Sequence, residues 1–208
     1  MTSVPDRLMA APHWKSAGSV RVPPGDPSPL VRLMSRLGGW AMGGGQIRLL
    51  LTLGGHRVVL RAYLRFGFGL VVLGGLPRPA IELVTLRTAW NAGCRYAFFH
   101  HMFLARAAGI GWETIERVSR GPHCDGWNDR ARTLLTAADE LHSRRGLTAA
   151  TRKHLAEFID EGRILELCFL VGHYEMLAMF LDSAGVEPEP GAWRHGPVAG
   201  LLARRRIG

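Results

Sequence analysis

The stretch AIELVTLRTAWNAGCRYAFFHHMFLARAAG, residues 80–109, holds three side chains able to move protons or electrons: Glu82, Cys94 and His101. Glu82 has Leu86, Ala89 and Trp90 at i+4, i+7 and i+8. On a helix its carboxylate therefore shares a face with apolar groups and needs a partner inside the fold. Asn91, Ala92 and Gly93 are weak helix formers in combination, and a break there leaves Cys94 in the first turn of a new helix. Backbone N–H groups and the positive end of the helix dipole favour a thiolate at such a position. The expectation is a thiol pKa below the roughly 8.5 of a free cysteine, and faster labelling than at Cys168. His101 follows Cys94 by seven residues, about 20° from eclipsed and about 10 Å along the axis, so both lie on one stripe with room between them for a water, a peroxide or a small carboxylate. The same spacing also suits a core cysteine and a capped core histidine.

Other groups carry less chemistry. Cys168 sits in the apolar run LELCFLVG and reads as core. Cys124 lies between His123 and Asp125, but no second ligand pair stands at zinc spacing, so no metal site is expected. The three cysteines form no CxxC pair and cannot all pair within the chain, which argues against a disulfide scaffold. His173 and Tyr174 face the core or a pocket, and His100 lies farther round the helix from Cys94 than His101 does.

These residues must be positioned by helices. From Leu30 onward apolar residues recur at helical spacing, with no useful strand-like alternation. Helices are expected over 29–42, 46–53, 56–71, 79–91, 94–108, 112–119, 128–143, 149–160 and 163–184. Pro79 suits a first helical turn, Thr148 an N-cap, and Gly109 a C-terminal stop. Residues 1–30, rich in Pro, Ser and Gly, read as an extended arm on the surface or on a partner subunit; 31–186 form the helical domain; 187–208 read as a peripheral tail.

Several blocks in order, ELVTLRTAWNAGCRY, Tyr96 followed by His101, GWETIERVSRGP, ARTLLTAADELH and LVGHYEMLAMFLDSAGV, resemble the carboxymuconolactone decarboxylase-like family, from about residue 45 to about 187. The resemblance implies an all-α, alkylhydroperoxidase D-like helical bundle. In the peroxidase branch a Glu precedes a Cys by twelve residues; a His follows two later, a second Cys three later and a further His seven later. Glu82, Cys94 and His101 match this pattern, whereas Tyr96 replaces the first His and Ala97 the second Cys. Ala97 also replaces the Glu of the YEWxxH pattern common in decarboxylase-like members. A CxxC disulfide cannot form, so a sulfenic acid at Cys94 would need an outside thiol as reductant.

The resemblance implies a thiol-dependent peroxide reductase of peroxiredoxin type, an antioxidant oxidoreductase without a bound cofactor. Cys94 is its nucleophile, His101 and Glu82 its proton relay, and Tyr96, Phe98, Trp90, His100 and His173 line the small-molecule pocket. The alternative is a decarboxylase or isomerase of a small lactone or carboxylic acid, and a third reading is a non-catalytic helical oligomer retaining the fold.

Composition bounds the partners. The chain has 208 residues, 47% of them hydrophobic and 21% charged, enough for one domain with a sizeable core. The apolar run from Phe66 to Leu76 falls short of the roughly 20 residues of a spanning helix, and the N-terminus carries no secretory pattern, so a cytoplasmic protein is expected. The net charge of +9 is concentrated: between Asp26 and Glu82 lie seven arginines and no acid. Arg57, Arg61 and Arg65 repeat at i, i+4, i+8, a like-charged stripe that solvent or carboxylates such as those of Asp139, Glu140, Glu187 or Glu189 must offset. A homo-oligomer, trimer or hexamer, is expected, with residues 46–76 at its contact and no nucleic acid bound.

Overall fold

The computed structural model describes residues 3–15, 22, 25–41 and 45–189. Among the described residues the chain forms helices only, in the order α1 (Val4–Met9), α2 (Pro29–Ala41), α3 (Arg48–Gly54), α4 (Arg57–Phe68), α5 (Arg78–Asn91), α6 (Arg95–Ala107), α7 (Trp112–Arg120), α8 (Asp129–Arg144), α9 (Ala149–Ala156) and α10 (Glu161–Ala184). The all-α expectation and the expected helices agree with this order.

α5 is the axis of the bundle. It packs against α6, α7, α8 and α10, and Ile81 through Leu86, Thr88 and Ala89 are all buried. A helix enclosed on every side has no polar face, so each polar group on it must be satisfied inside the protein. Thr88 Oγ1 donates to the Val84 carbonyl at 2.9 Å. Arg87 grips Asp139 on α8 through Nε at 2.6 Å and Nη2 at 3.0 Å, and its Nη1 donates to the carbonyls of Val118 and Ser119. Asn91 adds a third donor to Asp139.

The α5–α6 connection is a Schellman turn. Gly93 adopts φ +68°, its N–H donates to Trp90 O at 3.0 Å, and the Cys94 N–H donates to Ala89 O at 2.8 Å. The left-handed backbone at Gly93 is what lets α6 double back antiparallel on α5. Thr148 caps α9 and Asp160 caps α10, each accepting from the backbone N–H three residues on.

Three features depart from the sequence expectations. First, the N-terminal segment is not simply an extended arm. Val4–Met9 is helical, Leu8 is buried, and the segment lies on its own subunit, with the Lys15 N–H donating to Gly93 O at 3.2 Å and Trp14 packing on Phe98 and Trp90. An apolar Trp14 and an N-capping Ser3 outweigh the surrounding turn formers. Second, α4 runs on into a π-helical turn over Gly69–Leu73, the wider coil favoured where glycines interrupt an apolar run. Third, the tail is not peripheral at its start, because Glu189 is buried; residues 190–208, including the arginine triplet, lie outside the described residues.

α10 is long and apolar enough to cross a membrane by length and composition, longer than the run expected to be the most apolar. Half of it is buried against α5, α6, α8 and α9, as in the core helix of a bundle. Its outer face carries exposed Leu165, Phe169, Met176 and Met179. None of the four acids expected to offset the Arg57, Arg61 and Arg65 stripe does so: Asp139 pairs with Arg87, Glu140 with Thr148 and Thr151, Glu187 with Arg95, and Glu189 with Tyr96 and His100. The stripe is exposed and screened by solvent.

Arg87→Ala leaves Asp139 facing an apolar interior with Asn91 as its remaining side-chain donor. Because Asp139 keeps some solvent contact, the expected cost is about 2 kcal/mol, read as a lowered urea midpoint at unchanged m value.

Candidate active site

The site is built from the N-terminal half of α5, the middle of α6 and the middle of α10. Glu82, fully buried, is spanned by two partners: Arg78, one turn earlier on α5, places Nη2 2.5 Å from Oε1, and His101 on α6 places Nδ1 2.7 Å from Oε2. Both carboxylate oxygens are thus engaged. A carboxylate on Nδ1 assigns the proton of a neutral imidazole to that nitrogen and leaves the Nε2 lone pair available. Nε2 has no hydrogen-bond partner among the described residues, and the His101 side chain keeps 10% of its surface exposed. The ring stands edge-on to Tyr174 of α10, centroids 4.9 Å apart. Burial pushes the Tyr174 hydroxyl far above its ordinary pKa, and the Glu82 charge acts in the same direction.

Tyr174 and His173 form one wall of an open cavity of about 580 Å³. Tyr63, Gly67 and Phe68 of α4, Val71 and Val72 of the π turn and Met34 of α2 line the rest, with Arg65 on its rim. His173 stacks on Tyr63 at 5.4 Å and meets Phe66 edge-on at 5.3 Å. Burial drives its pKa down to about 4, with His101 adding to the shift, so it is neutral at physiological pH. The cavity wall is therefore apolar and uncharged up to the rim.

Cys94 does not carry the lowered pKa expected of it. It is the N-cap of α6, and the amides of Ala97 and Tyr96 do pull its pKa down. Burial nevertheless dominates and raises the thiol to about 12. Cys94 lies in the hydrophobic core, and residues 13–15 close over the adjoining α5–α6 turn, with His13 and Trp14 against Trp90 and with Trp14 against Phe98. Loss of hydration costs a thiolate more than a few oriented amides return.

The sequence-derived pocket residues separate into three groups. His173 lines the cavity with Tyr174, whose ring meets His101; Glu82 and His101 themselves are not among its lining residues. Trp90 and Phe98 belong to the aromatic cover over Cys94. Tyr96 and His100 face away from His101 into a second buried cluster with Glu189 of the C-terminal segment. Sequence reasoning missed Arg78 as the partner of Glu82, although the i, i+4 spacing was readable. It also missed Tyr63, and Glu189, for which no local signal exists. Among the described residues no group of three or more His, Cys, Asp or Glu could hold a metal ion.

Cys168 and Cys124, both partly exposed, should react with a thiolate-selective reagent before Cys94 does. At pH 8 the Cys94 thiolate fraction is about three orders of magnitude below that of a free thiol. Mass mapping of alkylation against time checks the order, and first labelling at Cys94 would contradict the burial argument.

Comparison with known proteins agrees with this architecture. Residues 58–140, which include α5, α6 and the dyad, match the carboxymuconolactone decarboxylase family. No curated protein sequence matches the chain. Among solved structures, the debrominase Bmp8 aligns with a TM-score of 0.70 at 18% identity, covering 84% of this chain and 95% of that one. An alkylhydroperoxidase AhpD core protein from Ralstonia eutropha, described as an uncharacterized peroxidase-related protein, aligns at 0.66 and 17% identity, covering 88% and 96%. A peroxidase-related protein from a Silicibacter species aligns at 0.68 and 15% identity, covering 84% and 94%. Residues 58–140, with the buried Glu82–His101 pair on two of their helices, match the carboxymuconolactone decarboxylase family, and the chain has the all-helical alkylhydroperoxidase D-like fold.

Proposed function

We propose that the protein is an acid–base enzyme acting on a small lactone or carboxylic acid, by decarboxylation or isomerisation, with the Glu82–His101 dyad as its proton-transfer centre. The observation that carries this reading is the 2.7 Å contact between Glu82 and His101 Nδ1, with Arg78 closing the other carboxylate oxygen. In isomerisation, Nε2 of His101 takes a proton from one substrate carbon and returns it to another; in decarboxylation, the bond to the carboxylate carbon breaks, CO2 leaves, and Nε2 delivers the proton it has taken from the substrate to the carbon left behind. Glu82 holds the tautomer and stabilises the imidazolium while the proton resides there. The cavity beside Tyr174 and His173 seats the apolar body of the substrate, and Arg65 on its rim attracts a carboxylate.

A second reading, thiol-dependent peroxide reduction, is favoured by the place of Cys94 at the head of α6, on one stripe with His101. The Cys94 sulfur attacks a peroxide oxygen, the O–O bond breaks, and the alkoxide leaves with a proton from His101. One external thiol displaces water from the resulting sulfenic acid, and a second releases Cys94 as its own disulfide forms. The raised thiol pKa places this reading second.

Wild type, His101→Ala, Glu82→Gln and Cys94→Ser assayed against an unsaturated lactone acid, and against alkyl hydroperoxides with small thiols, separate the two. The acid–base reading expects His101→Ala to lower kcat/KM on the lactone acid by about 10²- to 10⁴-fold, Glu82→Gln to lower it as well, and Cys94→Ser to stay near wild type. Hydroperoxide turnover abolished by Cys94→Ser, with no activity on the acid, establishes the thiol reading instead.

We also propose that the protein assembles as a homo-oligomer, with a small-molecule substrate and no nucleic acid as its other partner. The exposed apolar faces of α4 and α10, where Phe66, Phe169 and Met176 meet around a cleft, support this. Light scattering should return a multiple of 22.9 kDa, and Phe169→Glu should shift the species toward monomer. A wild-type monomer at moderate salt overturns it.

A further inference from the structure

The buried cluster on the far side of α6 has the composition of a receptor for a carboxylate. The Glu189 side chain, 5% exposed, reaches in from the segment that follows α10. Its Oε1 accepts from the Arg48 backbone N–H at 2.7 Å and from the Tyr96 hydroxyl at 2.7 Å, and its Oε2 lies 2.7 Å from His100 Nε2. The Tyr96 hydroxyl in turn accepts from the Leu49 N–H at 3.2 Å, which turns its proton toward Glu189. Tyr96 and His100 are themselves buried and lie ring against ring, 4.3 Å between centroids. The approach of the segment is fixed from outside: Arg48 Nη1 donates to the carbonyls of Glu187 and Pro188, and Arg95 meets the Glu187 carboxylate at 3.4 Å.

The cluster suits a carboxylate and little else. Two donors converge on Oε1 and His100 Nε2 lies close to Oε2, so an apolar side chain would leave the Arg48 amide and the Tyr96 hydroxyl unpaired in the interior. Burial by itself would raise the pKa of Glu189, but the hydrogen bonds from His100, Arg48 and Tyr96 outweigh it and hold the group below the usual carboxylate range. The contacts span three separate parts of the chain: α3, α6 and the C-terminal segment. The helix they grip is the one that carries His101, on its other face.

We propose that Tyr96, His100 and the Arg48 amide form a carboxylate-binding site that the chain occupies in cis with Glu189, a latch fastening the C-terminal segment across α3 and α6. A small monocarboxylate takes the vacated place when Glu189 is shortened. Acetate is the probe, since it reproduces the atoms that Glu189 presents.

In Glu189→Ala the latch is open. The melting temperature should fall by about 5 °C or more, and amide exchange at Arg48, Leu49 and residues 186–189 should quicken. Sodium acetate at about 100 mM should recover part of the lost stability and re-protect Arg48, whereas sodium chloride or acetamide at the same concentration should not. Wild type should respond equally to acetate and chloride. Equal effects of acetate and chloride on Glu189→Ala, or a Glu189→Ala protein as stable and as protected as wild type, overturn the proposal. Should Glu189→Ala fail to fold, Glu189→Gln keeps the shape and removes the charge. It is expected to melt below wild type with faster exchange at Arg48, and an unchanged Glu189→Gln shows that no carboxylate is recognised.

Discussion

A carboxylate sits on a helix that has no side facing water, and the active region is arranged around that constraint. α5 is enclosed by four other helices, so Glu82 keeps its charge only if opposite charge and hydrogen bonds are delivered to it. Arg78 supplies the charge from one turn away and His101 the hydrogen bond from the adjacent helix. The His101 contact is possible because Gly93 turns the chain in the left-handed region and sends α6 straight back along α5. The same turn sets Cys94 at the head of α6. One glycine thus fixes the relation between the acid, the imidazole and the thiol, and the dyad is organised before any substrate arrives.

At Cys94 two opposing influences can be weighed directly. Oriented amides at a helix start favour a thiolate, and this is why the position looks reactive in a sequence. Those amides are present and do act on the sulfur. They lose because the core around Cys94, to which Trp14 from the N-terminal segment adds a cover over Phe98 and Trp90, excludes the water that a thiolate needs. A local rule was correct about the local field and silent about a cover placed some eighty residues away in sequence.

What could be read in advance follows the same division. Helix positions, the Thr148 cap and the Gly109 stop depend on neighbours within one or two turns, and the sequence displays them. The Glu82–His101 pairing rested on the family resemblance, which spans both helices. Long-range partners had no such signal: the tail that supplies Glu189 is a Pro- and Glu-containing stretch without an apolar stripe, and nothing local marks Tyr96 and His100 as its receptors. The pocket expected around Cys94 separated because the buried residues of α6 point to different sides of the helix. Tyr96 and His100 sit about 200° and 240° from Cys94 on the helical wheel, whereas His101 and Phe98 lie within about 40° of it.

That partition has a mechanical consequence. α6 is held on one face by Glu82 and the aromatic cover and on the other by Glu189, so His101 has little freedom to move relative to α5. The substrate side is built differently, from a π-helical turn, glycines at 67 and 69, and half-exposed aromatic and aliphatic side chains. On the proposed acid–base reading, rigid placement of His101 with a compliant, largely apolar wall opposite would separate catalysis from selectivity. On that reading, changes in the cavity lining would alter which molecule is seated without disturbing the Glu82–His101 pair.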